Sequence, residues 1–155
     1  MKNISRLLEM TSSLYDRLGG IYSIAAVVDL FSEKILDNDL VGINSNNPQL
    51  REWSRNQIER LPGLKWLRTL WVAEVTGGPF KFQRSDLKPC PFRGERNKNM
   101  LDLREAHCRF RITPDQFEAV ASELENAMKE FDVPKTEQDQ VMDAFFAHES
   151  EVVSG

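Results

Sequence analysis

The chain has 155 residues, 28% of them charged, and a formal net charge of −4 at neutral pH. That length suits one domain able to bury a core, while the acidic balance argues against nucleic acid as a partner. Cys90 and Cys108 are the only cysteines, too few for a disulfide framework or a four-ligand zinc site.

The opening stretch, MKNISRLLEMTSS, lacks the continuous apolar segment of a secretion signal. The longest apolar run, IYSIAAVVDLF, is too short for a bilayer and is interrupted by Ser23 and Asp29. The expectation is therefore a soluble, cytoplasmic protein with no membrane partner. A short turn, SLYDRL, runs into Gly19-Gly20, where the backbone is free to bend sharply. Ile21, Ile24, Ala25, Val28, Phe31 and Ile35 then recur at three- and four-residue steps, predicting a long amphipathic helix that ends at Asp37-Asn38-Asp39. GINSNNPQL reads as loop.

Leu64, Leu67, Leu70, Trp71 and Val75 predict a second helix, stopped by Gly77-Gly78-Pro79. Residues 79–98, with three prolines and six basic side chains, read as a long surface loop. After LREAH, Thr113-Pro114-Asp115-Gln116 has the form of a capping box. Behind it Phe117, Val120, Ala121, Leu124, Met128 and Phe131 form a helical stripe. Val133-Pro134 interrupts, and a last helix carries Val141, Phe145, His148 and Val152. Strand alternation is absent, so the predicted fold is all-α, with four substantial helices and some short ones.

The chemistry centres on His107, one of two histidines. No HExxH spacing supports a catalytic zinc, no GxSxG marks a nucleophile, and no glycine-rich loop would cradle phosphate. A metal that brings four ligands of its own needs only one axial imidazole, as haem iron does. The plainer reading of His107 is a half-buried histidine held by hydrogen bonds. His148 reads as structural, and Cys108 as a small packing residue.

The order of the pieces adds to this. LYDRLGG, a Phe-containing helix closing in ILDND, then TGGP, LREAH, ITPDQF and DVP follow one another over about residues 13–152. This set resembles the truncated (two-over-two) haemoglobin family, most like its group I. The resemblance implies a globin-like two-over-two helical sandwich over 13–155, preceded by an extension at 1–12 and carrying 79–98 as a loop insertion. It also implies haem b as cofactor, a diatomic gas (oxygen, nitric oxide or carbon monoxide) as ligand, and oxygen binding, transport or sensing as the role. Any nitric oxide dioxygenase or peroxidase-like activity would need an external reductase. The chain would be a monomer or weak homo-oligomer.

Carried over by position, His107 falls on the proximal iron ligand and Leu103 on the apolar residue four places before it. Phe117 and Val120 match the proximal wall, with Phe145 as a further apolar lining. Counting back from Gly77, Leu64, Leu67, Arg68 and Trp71 fall on the distal side, where the first long helix would present Phe31 and Ser32. Lys98 and Arg104 are candidates for the haem propionates, and Lys65 for an internal sixth ligand. The family's distal tyrosine is replaced by Ser32, and its distal glutamine or histidine by Leu67 or Arg68. A serine hydroxyl is short and a leucine donates nothing, which leaves Arg68 as the strong donor if it points inward. These departures also motivate an alternative, a haem-less globin-fold module acting in protein–protein regulation.

Overall fold

The computed structural model describes residues 12–80 and 103–155. Ser13 Oγ accepts from the Asp16 amide and caps a short helix, α1, Leu14–Arg17. Gly19 and Gly20 follow at φ 96° and 82°. This left-handed pair, costly for any residue with a Cβ, turns the chain into α2, Ile21–Asp37. As the spacing predicts, α2 buries Ile24, Val28, Phe31 and Ile35; it also buries Ser32, while Ile21 and Ala25 of the expected stripe are half-buried.

The stretch read as loop after α2 proves helical in its last part. Asn47 Oδ1 accepts from the Gln49 and Leu50 amides and Pro48 fills the first helical position, starting α3, Pro48–Asn56. An Asn-Pro pair marks a turn, but it is equally a cap followed by the residue best suited to begin a helix. A 3-10 turn at Ile58–Arg60 leads to α4, Leu61–Val75. That helix stops at Gly77, φ 89°, and the Gly78 amide donates back to the Ala73 carbonyl at 2.7 Å.

The chain next described is α5, Leu103–His107, followed by a 3-10 turn at Cys108–Phe110. Arg111 takes φ 48°, and the predicted capping box forms in full. Thr113 Oγ1 accepts from the Gln116 amide at 3.3 Å, and Gln116 Oε1 accepts from the Thr113 amide at 3.1 Å, opening α6, Pro114–Glu130. Phe131, expected on the apolar stripe, lies at the helix cap and is 48% exposed. There the α-helical register ends. The expected single last helix is two, α7, Lys135–Phe146, and α8, Glu149–Val152, broken at Ala147-His148. Of the expected loop 79–98, residues from 81 onward lie outside the described residues, as does the N-terminal extension through residue 11.

α2 packs against both α4 and α6, and α6 against α7, giving two helical layers joined through α2. The main core gathers Phe31, Ile35, Leu50, Phe110, Phe117, Leu124 and Met128. α8 packs against α5, and Val153 forms an isolated parallel bridge to Ile112. No strand occurs among the described residues, in agreement with the predicted all-α sandwich. No helix among them is long and apolar enough to cross a membrane.

Candidate functional site

α4 is the informative element. Along its fifteen residues only Thr69 and Ala73 are buried, although it carries Leu61, Leu64, Leu67, Leu70, Trp71, Val72 and Val75. Those large apolar side chains are all half-buried. A helix this apolar that covers only its small residues leaves a substantial hydrophobic surface short of partners, which suits the wall of an apolar ligand slot.

His107 ends α5 with its Nδ1 2.7 Å from the Leu103 carbonyl oxygen. A carbonyl only accepts, so Nδ1 carries the hydrogen and, in the neutral ring, Nε2 keeps its lone pair. Burial is the main influence on its pKa and lowers it from the ordinary histidine value. The bond to Leu103 acts the other way, and the Arg68 charge lowers it further. The imidazole is therefore held neutral, oriented and ready to donate an electron pair. Its helix is well anchored: Phe110 is buried, Trp53 meets the Phe110 ring edge-on at 5.7 Å, and Asn47 Nδ2 donates to the Phe110 carbonyl at 2.8 Å.

From α2 and α4 the structure brings Phe31 and Arg68 into the same region. The Arg68 guanidinium lies over the Phe31 ring, 5.8 Å from its centroid. Burial lowers its pKa to about 10, which leaves it charged at neutral pH. Ser32, beside Phe31 in sequence, is wholly buried, and its Oγ has no hydrogen-bond partner among the described residues. Phe117 and Phe145 stack with centroids 4.8 Å apart, and Val120 packs half-buried against the core. Trp71 reaches the α7–α8 break, where it meets His148 edge-on at 5.2 Å.

Other expected positions fare differently. Lys65 is turned away from any ligand role: its Nζ bridges Asp29 at 2.6 Å and Glu33 at 3.2 Å. Burial lowers its pKa, but the two carboxylates outweigh that and raise it overall, so the amine keeps its proton. The idea of Lys65 as a sixth ligand is thus corrected. Arg104 is exposed, and Lys98 lies outside the described residues. The pairing of Trp71 with His148 and the Asn47–Phe110 bond went unread in the sequence, because both join distant segments whose spacing carries no signal.

Among the described residues no group of three His, Cys, Asp or Glu side chains could hold a metal ion. A metal carried in an apolar chelate, needing one imidazole, suits the residues present. The oriented Nε2, the half-buried leucines of α4, the stacked phenylalanines, the Arg68 guanidinium over Phe31 and the buried Ser32 hydroxyl, unpartnered among the described residues, fit such a group.

The bacterial-like globin family matches residues 13–153. Among solved structures, truncated haemoglobin from Tetrahymena pyriformis in its Fe(III) form superposes with a TM-score of 0.67 at 17% identity, over 93% of this chain and 100% of that one. The 2/2 haemoglobin from Synechococcus sp. PCC 7002, in the cyanomet state and with covalently attached haem, gives 0.65 at 21% identity over the same shares. No curated protein sequence matches. At these identities the solved structures establish a shared fold, the globin fold.

Proposed function

The chain belongs to the bacterial-like (truncated) globin family, and on that premise we propose that it binds haem b through His107 Nε2 and takes a diatomic gas at the iron. The observation that carries this is the Nδ1–Leu103 hydrogen bond, which fixes the tautomer an iron ligand needs. When bound, ferrous haem supplies a coordination position for oxygen, nitric oxide or carbon monoxide. Everything else falls to the chain.

Leu103 and His107 on α5, with Phe117, Val120 and Phe145, wall the proximal side. Leu64, Leu67, Trp71 and Phe31 exclude water from the distal side, where Arg68 and Ser32 are the hydrogen-bond donors. Arg104, exposed on α5, is the proposed propionate partner at the wet edge. The ordered motifs point to group I, with Ser32 and Arg68 as departures from its distal pair. Oxygen binding or sensing is the proposed role, and oxidative chemistry on nitric oxide would take electrons from an external reductase.

The test is the visible spectrum of protein supplied with stoichiometric haem, beside His107→Gly with and without imidazole. A sharp Soret band that weakens in the variant and returns with imidazole supports the assignment. A featureless spectrum, or one indifferent to the substitution, overturns it in favour of a haem-less globin-fold interaction module.

A further inference from the structure

The cations of this chain are unevenly paired. The ion pairs among the described residues lie on α1, α2, α4, α6, α7 and α8, and none involves α3 or the 3-10 turn after His107. Those two segments carry Arg51, Arg55, Arg109 and, at the end of the turn, Arg111. Arg51 is half-buried and the other three are exposed. A run of contacts joins them. Arg51 Nη1 donates to the Ser45 carbonyl at 2.9 Å, and Ser45 Oγ accepts from the Asn47 amide. Asn47 in turn holds the Phe110 carbonyl, and the Arg109 guanidinium lies over the Phe110 ring, 4.6 Å from its centroid. One helical turn beyond Arg51, Arg55 Nε donates to the Ile43 carbonyl at 2.9 Å. Backbone carbonyls and a ring thus fix three guanidinia in place without neutralising them. Glu52 is the one carboxylate on α3, and the turn has none.

We propose that this arginine surface, spanning α3 and the turn after His107, docks a small acidic one-electron carrier protein. The inference rests on the proposed haem binding only for the electron's destination: one electron passes from the reduced carrier to ferric iron, with no proton or bond exchanged. The arginines make an extended face and not a pocket. Arg51 and Arg55 stand about 6 Å apart along the α3 axis, and Arg109 and Arg111 belong to a separate segment. Such spacing suits carboxylates spread over a protein surface, each able to take a guanidinium in a forked pair. A chain of net charge −4 repels a long polyanion, whereas a compact acidic partner meets only the basic face. The turn begins at Cys108, directly after His107, so a carrier seated there approaches from the proximal side. Electrostatic steering raises the encounter rate, which a transient electron donor needs more than tight binding.

The experiment uses a plant-type two-iron ferredoxin as the acidic probe, with wild type, Arg109→Glu/Arg111→Glu and Arg109→Lys/Arg111→Lys. Calorimetry measures binding of the oxidised probe to haem-free and haem-loaded protein. The change in the ferric Soret band on mixing with reduced probe, without oxygen, measures transfer. Photoreduced deazariboflavin, an uncharged donor, is the control. Binding and transfer are expected to be at least about tenfold weaker in the glutamate variant and close to wild type in the lysine variant, with the control rate changed less than about threefold. In wild type both should fall steeply as salt rises from about 20 to 300 mM, a readout that needs no substitution. Haem-loaded protein whose binding and reduction ignore salt and substitution overturns the docking face and leaves the haem reading standing. If the chain takes up no haem, calorimetry on the haem-free protein decides: binding lost in the glutamate variant supports the face, and equal binding overturns it. A short DNA duplex bound more tightly than the probe also overturns the proposal, in favour of nucleic acid.

Discussion

The Tyr15 ring covers Gly78. A Cβ at Gly78 would stand 2.5 Å from Tyr15 Cδ2 and 2.9 Å from the Ala73 carbonyl oxygen, while the Tyr15 amide donates to the Thr76 carbonyl at 2.9 Å. Gly20 lies at the hydroxyl end of the same ring. The two glycine pairs of the sequence therefore meet around one side chain, tying the start of the sandwich to the end of α4. Gly78→Ala is expected to destabilise the fold by about 1–3 kcal/mol in urea unfolding, the range for forced overpacking. Tyr15→Leu combined with Gly78→Ala should cost less than the two single changes added together, since the smaller side chain relieves the overlap. Strict additivity would show that the ring is not what excludes the methyl group.

This contact illustrates what a sequence does and does not reveal. Gly19-Gly20 was legible as a bend and Gly77-Gly78 as a helix stop, because the positive φ found at Gly19, Gly20 and Gly77 has few other occupants. That they face each other was not, since pairing between segments some sixty residues apart leaves no local trace. The helices of Ile21, Leu64 and Pro114 were legible from apolar spacing and the capping box. α3 was missed because its nine residues are mostly polar and hold no long stripe. At the site, His107 and its Leu103 neighbour were legible from motif order. The inward turn of Arg68 was not, because an arginine on a half-apolar helix reads the same whether it reaches solvent or a buried ring.

Lys65 tests the outward assignment of its helix face. Its ion pairs join a half-buried amine to the largely exposed Asp29 and Glu33, so solvent screening limits their worth. Lys65→Ala is expected to lower stability by about 1 kcal/mol or less and to leave the haem spectrum unchanged up to alkaline pH. A change in the spectrum of the ferric protein would return Lys65 to the iron.

Asn47 does two jobs, capping α3 and donating to the carbonyl of Phe110 in the turn that follows His107. Asn47→Ala is expected to cost about 1–2 kcal/mol from the cap and about 1 kcal/mol more from the lost bond. Asn47→Ser keeps a capping oxygen but loses the reach to Phe110, so it should recover most of the first part and none of the second. The second part should also appear as faster haem loss to a scavenger, because it anchors the turn behind His107. If Asn47→Ser retains haem like wild type, the Phe110 bond does not position the ligand.

His107 sets an acid limit on the haem-free protein. Above about pH 6.5 the imidazole is neutral in both folded and unfolded chains. As pH falls through that value the unfolded chain takes up a proton that the folded one resists, because burial, and then the Arg68 charge, lower the folded pKa. The unfolded state then binds more protons, so stability falls as pH drops from about 6.5 toward the folded pKa, below which this contribution stops changing. Urea unfolding of haem-free wild type at pH 7.5 and 5.5 should therefore show a loss that His107→Leu reduces. The same resistance to protonation keeps Nε2 available to a metal in mildly acidic solution, so haem uptake should persist below pH 6.5. Removing the Arg68 charge should bring the His107 pKa back toward its ordinary value, and with it weaken uptake at pH 5.5 relative to pH 7.5. Identical acid slopes in wild type and His107→Leu would place the acid sensitivity on another group and leave the neutral imidazole without this support.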